Sequence, residues 1–319
     1  MMFWESFQVT AVAVGQIFIL AAIGYILLKK GFFNSQGMDA LSRLVMDVTL
    51  PILIFCQLIR DFSFQLYPNW WIFPLISVAI SLLGLGLAAL FSGVIKGEQH
   101  KMQFLCLSAF QNSGFLPLAL VAALFLPDKK DILFIYLFLF LLGFNLIIFS
   151  LGVYLLSFHK DKKFELGSLF SAPVVATSLT LILIFLGWSR FIPDALLRPL
   201  NMVGECTLPL AMLVVGGNLA QISLARIDKP AMSLMVLIKL LMMPLLGLLV
   251  CIYFKLPEML SILVILQLAM PPATTPSVIL RHYKREDLLV SQGIFVGHIL
   301  SVITIPVFLS LYFAQVMLK

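Results

Sequence analysis

The sequence predicts an all-α polytopic membrane protein of ten transmembrane helices, arranged as two inverted five-helix repeats. Three observations predict it: the composition, the spacing of the apolar runs, and an internal repeat at constant offset. Of 319 residues, 61% are hydrophobic and 11% charged, against roughly 45–50% and 25% in an ordinary soluble domain. One or two soluble domains of this length could not hide so much apolar surface from water. The composition excludes disordered and disulfide-scaffold classes. The net charge of +6 is read as Lys and Arg in cytoplasmic loops, with no nucleic-acid partner. Cys56, Cys106, Cys206 and Cys251 lie in apolar runs without metal-ligand spacing, as small buried hydrophobes do.

Runs long enough for ~30 Å of hydrocarbon fall near 8–28, 40–60, 70–95, 103–126, 131–156, 172–189, 196–220, 229–254, 258–280 and 287–316. The first is closed by Lys29-Lys30; residues 1–8 carry Glu5 and no Lys or Arg, so no cleavable signal peptide is expected. The second holds Asp47 and Pro51 and ends at Arg60-Asp61; the third starts at Trp70-Trp71 and ends before Lys96. The fourth contains Asn112 to Pro117, and the fifth, after Lys129-Lys130-Asp131, contains Asn145. The longest charged linker, 157–167, separates the halves. The sixth run opens at Ala172-Pro173, the seventh holds Glu205 and Pro209, and the eighth holds Lys239. The ninth carries Met270-Pro271-Pro272-Ala273-Thr274-Thr275-Pro276-Ser277, and the tenth carries His298. No loop is long enough for a soluble domain, so 1–319 reads as one membrane domain, with repeats over 1–157 and 168–319.

With the N-terminus outside, thirteen Lys and Arg fall in inward loops and seven in outward segments. The positive-inside rule thus favours extracytoplasmic termini in a cell membrane. Trp4, Trp70, Trp71 and Trp188 then sit at outward ends, as interfacial anchors.

The repeat is the most informative feature. Thr49-Leu50-Pro51 in run two matches Thr207-Leu208-Pro209 in run seven at offset 158, each with an acid four residues before its proline, Asp47 and Glu205. Gly114-Phe115-Leu116-Pro117 faces Ala273-Thr274-Thr275-Pro276 at offset 159, and Tyr154 faces Tyr312 at 158. Five runs per half is odd, so the second half crosses in the opposite sense. Inverted repeats mark secondary transporters.

Runs four and nine are broken by glycine and proline. Broken backbone must face protein or water rather than lipid. At ~1.5 Å per residue, both breaks lie near mid-membrane. Two half-helix N-termini meeting there suit an anion. Candidate substrate contacts are therefore Asn112, Ser113, Gly114, Pro117, Asn145, Pro271, Pro272, Thr274, Thr275 and Pro276. Ionisable residues within spans are costly and mark pathways or pairs, so Glu205, Asp47, Lys239 and His298 are candidates for ion coupling, with Glu205 ahead of Asp47. No zinc-protease, nucleophile-elbow or P-loop motif is present. The expectation is a non-enzyme without cofactor or metal.

Leu50-Pro51-Ile52-Leu53-Ile54-Phe55, the Asn112–Pro117 break, Ala172-Pro173 and Gly204-Glu205-Cys206-Thr207-Leu208-Pro209-Leu210-Ala211 followed by Gly216-Gly217-Asn218-Leu219 resemble the auxin efflux carrier family, over nearly the whole chain. The resemblance implies a bile-acid-transporter-like fold with crossed, broken helices four and nine, a scaffold of spans one, two, six and seven, and elevator-like motion of the others in a homodimer. It implies a bacterial-type organic-acid permease whose partners are a small organic anion such as malonate, the lipid bilayer and a coupling proton or sodium ion. A sodium-coupled uptake symporter and a non-transporting solute sensor are the alternatives.

Overall fold

The computed structural model describes residues 3–157, 170–225 and 227–316. The central linker beyond Ser157, with its lysines, lies outside them, as do Arg226 and Lys319. Twelve helices follow in chain order: α1 (Phe3–Lys29), α2 (Ser35–Asp61), α3 (Ile72–Val94), α4 (Glu98–Ala109), α5 (Phe115–Leu124), α6 (Pro127–Ser157), α7 (Ala172–Phe185), α8 (Asp194–Ala220), α9 (Lys229–Tyr253), α10 (Glu258–Ala269), α11 (Thr275–His282) and α12 (Leu288–Val316). The described residues form no strand, only one isolated antiparallel bridge.

All ten expected runs are helical, but only seven are uninterrupted helices long and apolar enough to cross a bilayer. The other three differ for local reasons. Runs four and nine are each cut in two by a non-helical stretch, at 110–114 and 270–274. The sixth, α7, is 14 residues, about 21 Å at 1.5 Å per residue.

Local chemistry sets the ends. Asn34 Oδ1 accepts the Gly37 N–H at 2.7 Å and starts α2, and Asp228 Oδ1 accepts the Ala231 N–H at 3.1 Å and starts α9. Such caps satisfy donors that a helix leaves free. Pro127, Pro173, Pro230 and Pro276 all occupy first turns, where a missing N–H costs nothing. Prolines farther along need another remedy, because the ring clashes with the carbonyl four residues earlier. In α2, a π-turn at Leu44–Thr49 comes just before Pro51; in α9, one at Val236–Met242 comes just before Pro244. The wider turn relieves the clash, so the π-turns are written by the prolines.

Small residues then set the helix packing, as they do where lipid removes the hydrophobic drive. α1 crosses α8 at Gly24 and Gly216: a Cβ on Gly216 would strike the Ala21 backbone, and one on Gly24 the Leu213 backbone. Gly204 of α8 lies against Leu53 of α2, Gly143 of α6 against Pro74 of α3, and Gly84 of α3 against Ala109 of α4. α1 also meets α12, where Thr10 and Ser310 hydroxyls share a 2.8 Å hydrogen bond. α7 packs on α2 and α6. The innermost layer is α4, α5, α6 and α10, whose side chains from Phe104 to Phe110, Leu133 to Leu141 and Ile262 to Met270 are buried almost throughout.

The glycine contact gives a clean test. Gly216→Ala must push α1 and α8 apart and is expected to cost about 1–3 kcal/mol, the range of overpacking. Gly15→Ala, on an α1 face with no heavy atom within 4 Å of the new Cβ, should leave stability unchanged or improved. Thermal unfolding of both purified variants checks it; equal melting temperatures would disprove the close contact.

Candidate functional site

The two broken segments meet. After α4 the chain runs extended through Phe110 to Ser113, and after α10 through Met270 to Ala273. The stretches pair antiparallel: the Asn112 N–H donates to Pro271 O at 2.8 Å, and the Ala273 N–H donates to Phe110 O at 2.9 Å. Gln111 and Pro272 are the opposed residues between those bonds. An opposed pair of this type exchanges no bonds of its own, so Pro272 lacks nothing by lacking an N–H. The crossing satisfies the backbone that a bilayer interior could not.

α5 begins at Phe115 and α11 at Thr275, immediately after the crossing. Both therefore aim N-terminal N–H groups and the positive ends of their dipoles at this point. Pro117 and Pro276, buried in those first turns, exclude the carbonyl of the residue four back from a helical position. They hold the breaks open and do not themselves line the adjoining cavity. Pro271 and Pro272 form the crossing strand behind it.

Three buried side chains tie the crossing to neighbouring helices. Lys239 of α9, fully buried, donates from Nζ to Gln111 Oε1 at 3.3 Å. Gln267 of α10 donates from Nε2 to Ser113 O at 3.2 Å. His298 of α12, also fully buried, lies with Nδ1 2.8 Å from Ile294 O and Nε2 3.4 Å from Asn112 Nδ2. A carbonyl only accepts, so Nδ1 carries the proton and Nε2 accepts from the Asn112 amide. His298 thus orients Asn112. Among the described residues Lys239 has no carboxylate partner.

Beside the crossing lies a cavity of about 220 Å³. Of the expected contacts, Asn112, Ser113, Gly114, Asn145, Thr274 and Thr275 line it. So do three polar residues that sequence reasoning did not select: Gln111, Ser42 and Asn218. Gln111 adjoins the Asn112 motif, and Asn218 closes the Gly216-Gly217-Asn218 stretch; nothing local marks Ser42. Met46, Leu50, Phe144, Phe149, Val214 and Val215 form an apolar wall.

The four expected ion-coupling residues separate. Lys239 and His298 brace the crossing from behind. Asp47 and Glu205 are exposed on α2 and α8, away from it. Glu205 accepts from Asn201 Nδ2 at 2.7 Å and borders a second cavity, of about 310 Å³, with Gln57, Arg60 and Asp131.

A profile for the family described as membrane transport protein matches residues 9–171 and 159–309. The chain belongs to this family, that of the auxin efflux carriers. An uncharacterized transporter of Schizosaccharomyces pombe is 31% identical over 122 residues, which are 37% of this chain and 26% of that protein. The match thus spans about a quarter of that relative's length. A multi-pass membrane transport protein accounts for the seven long apolar helices and for the central crossing together.

Lys239 offers a test of what holds this site. A buried ammonium without a counter-charge carries a desolvation penalty that one hydrogen bond to Gln111 does not offset. Lys239→Met is therefore expected to keep or raise the melting temperature. A clear fall would overturn this and make the Lys239–Gln111 bond a net stabiliser of the crossing.

Proposed function

We propose that this transporter is secondary active and moves a small organic anion bearing a carboxylate by alternating access. The observation that carries the reading is the polar end of the cavity. There the side chains of Gln111, Asn112, Ser113, Thr274 and Thr275 adjoin two helix N-termini, with the Lys239 ammonium buried behind Gln111. Helix N-termini with free amide donors bind anions. Among the described residues, no Asp, Glu, Lys or Arg lines the cavity. The carboxylate would meet dipoles and amides, and its apolar part would rest against Met46, Leu50 and Phe144.

The same reading takes the chain as ten crossings in two inverted repeats, counting each broken segment and α7 as one. Packing supports it: α1 meets α8 and α12, while α7, its counterpart, meets α2 and α6, the counterparts of those helices. Under the positive-inside orientation, the termini face outward in the cell membrane. The cavity, bordered by the start of α2 and α7 and the ends of α6 and α8, then opens to the cytoplasm. Asp47, exposed midway along α2, would cost several kcal/mol against lipid. A second copy meeting through α2 would cover it, which supports a homodimer.

For coupling, the side chains at the crossing are amides, hydroxyls, one imidazole and one ammonium. A sodium ion would lack a carboxylate ligand there, so we assign the charge at the crossing to Lys239 with His298 beside Asn112, ahead of Glu205 and Asp47. Gradient-driven transport should then survive Glu205→Gln and Asp47→Asn and fail in Lys239→Met.

Proteoliposomes loaded with purified protein and given radiolabelled malonate or pyruvate, with and without sodium and proton gradients, test the reading. Accumulation without sodium supports it. Accumulation only with sodium favours an uptake symporter, and binding without accumulation a sensor. Asn112→Ala should weaken anion binding by about 1–3 kcal/mol, the loss of one hydrogen bond to a charged group. Unchanged affinity would remove Asn112 from the site.

A further inference from the structure

The two cavities lie on one seam. Along α2 the first is lined by Ser42, Met46 and Leu50, and the second by Leu53, Gln57 and Arg60. These residues follow one another at three- and four-residue spacing, so they form a single stripe on one helix face. α8 repeats the order: Asn218, Val215 and Val214 border the first cavity, and Leu208, Glu205 and Asn201 the second. So does α6, with Phe149, Asn145 and Leu141 at the first, then Phe134, Asp131 and Lys130 at the second. Three helices thus carry both cavities end to end, separated on α2 by one turn at Leu50 and Leu53 and on α6 and α8 by nearly two turns.

The far end of the seam is tied by side chains. Gln57 is buried, at 4% exposure. Its Nε2 donates to Asp61 Oδ2 at 2.6 Å on its own helix and to Asp131 Oδ1 at 3.1 Å on α6. Its Oε1 accepts from Arg60 Nη2 at 3.0 Å, and Arg60 Nη2 lies 4.0 Å from Asp131 Oδ1. One amide therefore joins α2 to α6 across the seam, with both ends of that amide held by charged partners. Hydrogen bonds to charged groups are the stronger kind. Where the first cavity borders α2 and α6, at Ser42, Met46 and Asn145, no such side-chain bond joins the two helices among the described residues.

We propose that the second cavity is the far vestibule of the path whose near vestibule is the first, shut off from it at the Leu50–Leu53 turn, and that the Gln57–Asp131 bond, braced by Arg60, is the latch that keeps the two apart. The inference rests on the transport reading above. Breaking the latch frees α6 to move from α2 at that end, which opens the second mouth; rigid helices moving about the Leu50–Leu53 turn then narrow the first. Arg60, parted from Asp131 but still paired with Asp61 at 3.0 Å, and Lys130, carried on α6 with Asp131, then stand on opposite sides of the opened mouth.

Cysteine accessibility tests this without substrate. In a Cys206→Ser background, Leu208→Cys reports on the second mouth and Ser42→Cys on the first. The protein is held in nanodiscs, where a membrane-impermeant maleimide reaches both faces. Gln57→Ala and Asp131→Ala should each raise the labelling rate at Leu208→Cys roughly tenfold, the shift that one hydrogen bond to a charged group supports. Both should lower it at Ser42→Cys. Together Gln57→Ala and Asp131→Ala should do little more than either alone, since they break one bond. Folded variants that label like the parent at Leu208→Cys would overturn the latch. Faster labelling there with no change at Ser42→Cys would overturn the single path, because the mouths would then open independently. Arg60→Gln supplies a milder variant should either change prevent folding, with the same sign expected and the same outcomes against it. The transport reading fails by a separate measurement, absence of anion accumulation by the unmodified protein, which leaves the labelling result standing.

Discussion

Everything in this molecule depends on two lengths of non-helical backbone satisfying each other inside a membrane. Extended chain within hydrocarbon would leave amides and carbonyls without partners, at several kcal/mol for each group. Here Asn112 and Ala273 donate to Pro271 and Phe110, and the crossing becomes a two-residue scrap of antiparallel sheet buried in an all-helical protein. That exchange requires α4 and α10 to end at one place and α5 and α11 to start there. It therefore fixes four helix ends, the dipoles that they carry, and the position of every side chain that faces the cavity.

The neighbouring helices serve the same constraint. Gly297 of α12 has no room for a Cβ beside Pro272, and Gly293 has none beside Leu107, so α12 lies close enough for His298 to reach Asn112. The π-turn of α9 carries Lys239, whose long side chain reaches Gln111 from the other side. Two helices without a break of their own thus supply the polar groups that orient the crossing. The site is built by tertiary approach, from single residues on separate helices.

The repeat is exact in neither half. Tyr154 is three-quarters exposed and Tyr312 almost wholly buried, although they close the two halves at matching positions. Pro51 follows a π-turn, whereas its counterpart Pro209 follows a kink at Cys206. Lys239 and His298 have no partners of like type at the matching positions of the first half, where Ser81 and Phe140 stand.

Much of this was legible in the sequence. Apolar runs near 20 residues located the seven long membrane helices, because hydrocarbon thickness dictates length whatever the neighbours are. Glycine and proline between polar residues located both breaks, because their effect on the backbone is local. The offset near 158 tied the breaks to each other. What could not be read was how side chains far apart in sequence converge. Asp47 and Glu205 looked as costly as Lys239 when judged by residue type and depth, but depth says nothing of direction around a helix. In the fold the two acids point away from the crossing and Lys239 points into it. Ser42 of α2 and Asn218 of α8 line one cavity although they stand far apart in sequence. The sequence by itself determined the helices, the breaks and the membrane setting, all of which follow from local chemistry in a known solvent. Only the tertiary structure decided which polar groups meet, because that depends on rotation and approach of helices, set by contacts between residues as far apart as Gln111 and Lys239, or Asn112 and His298.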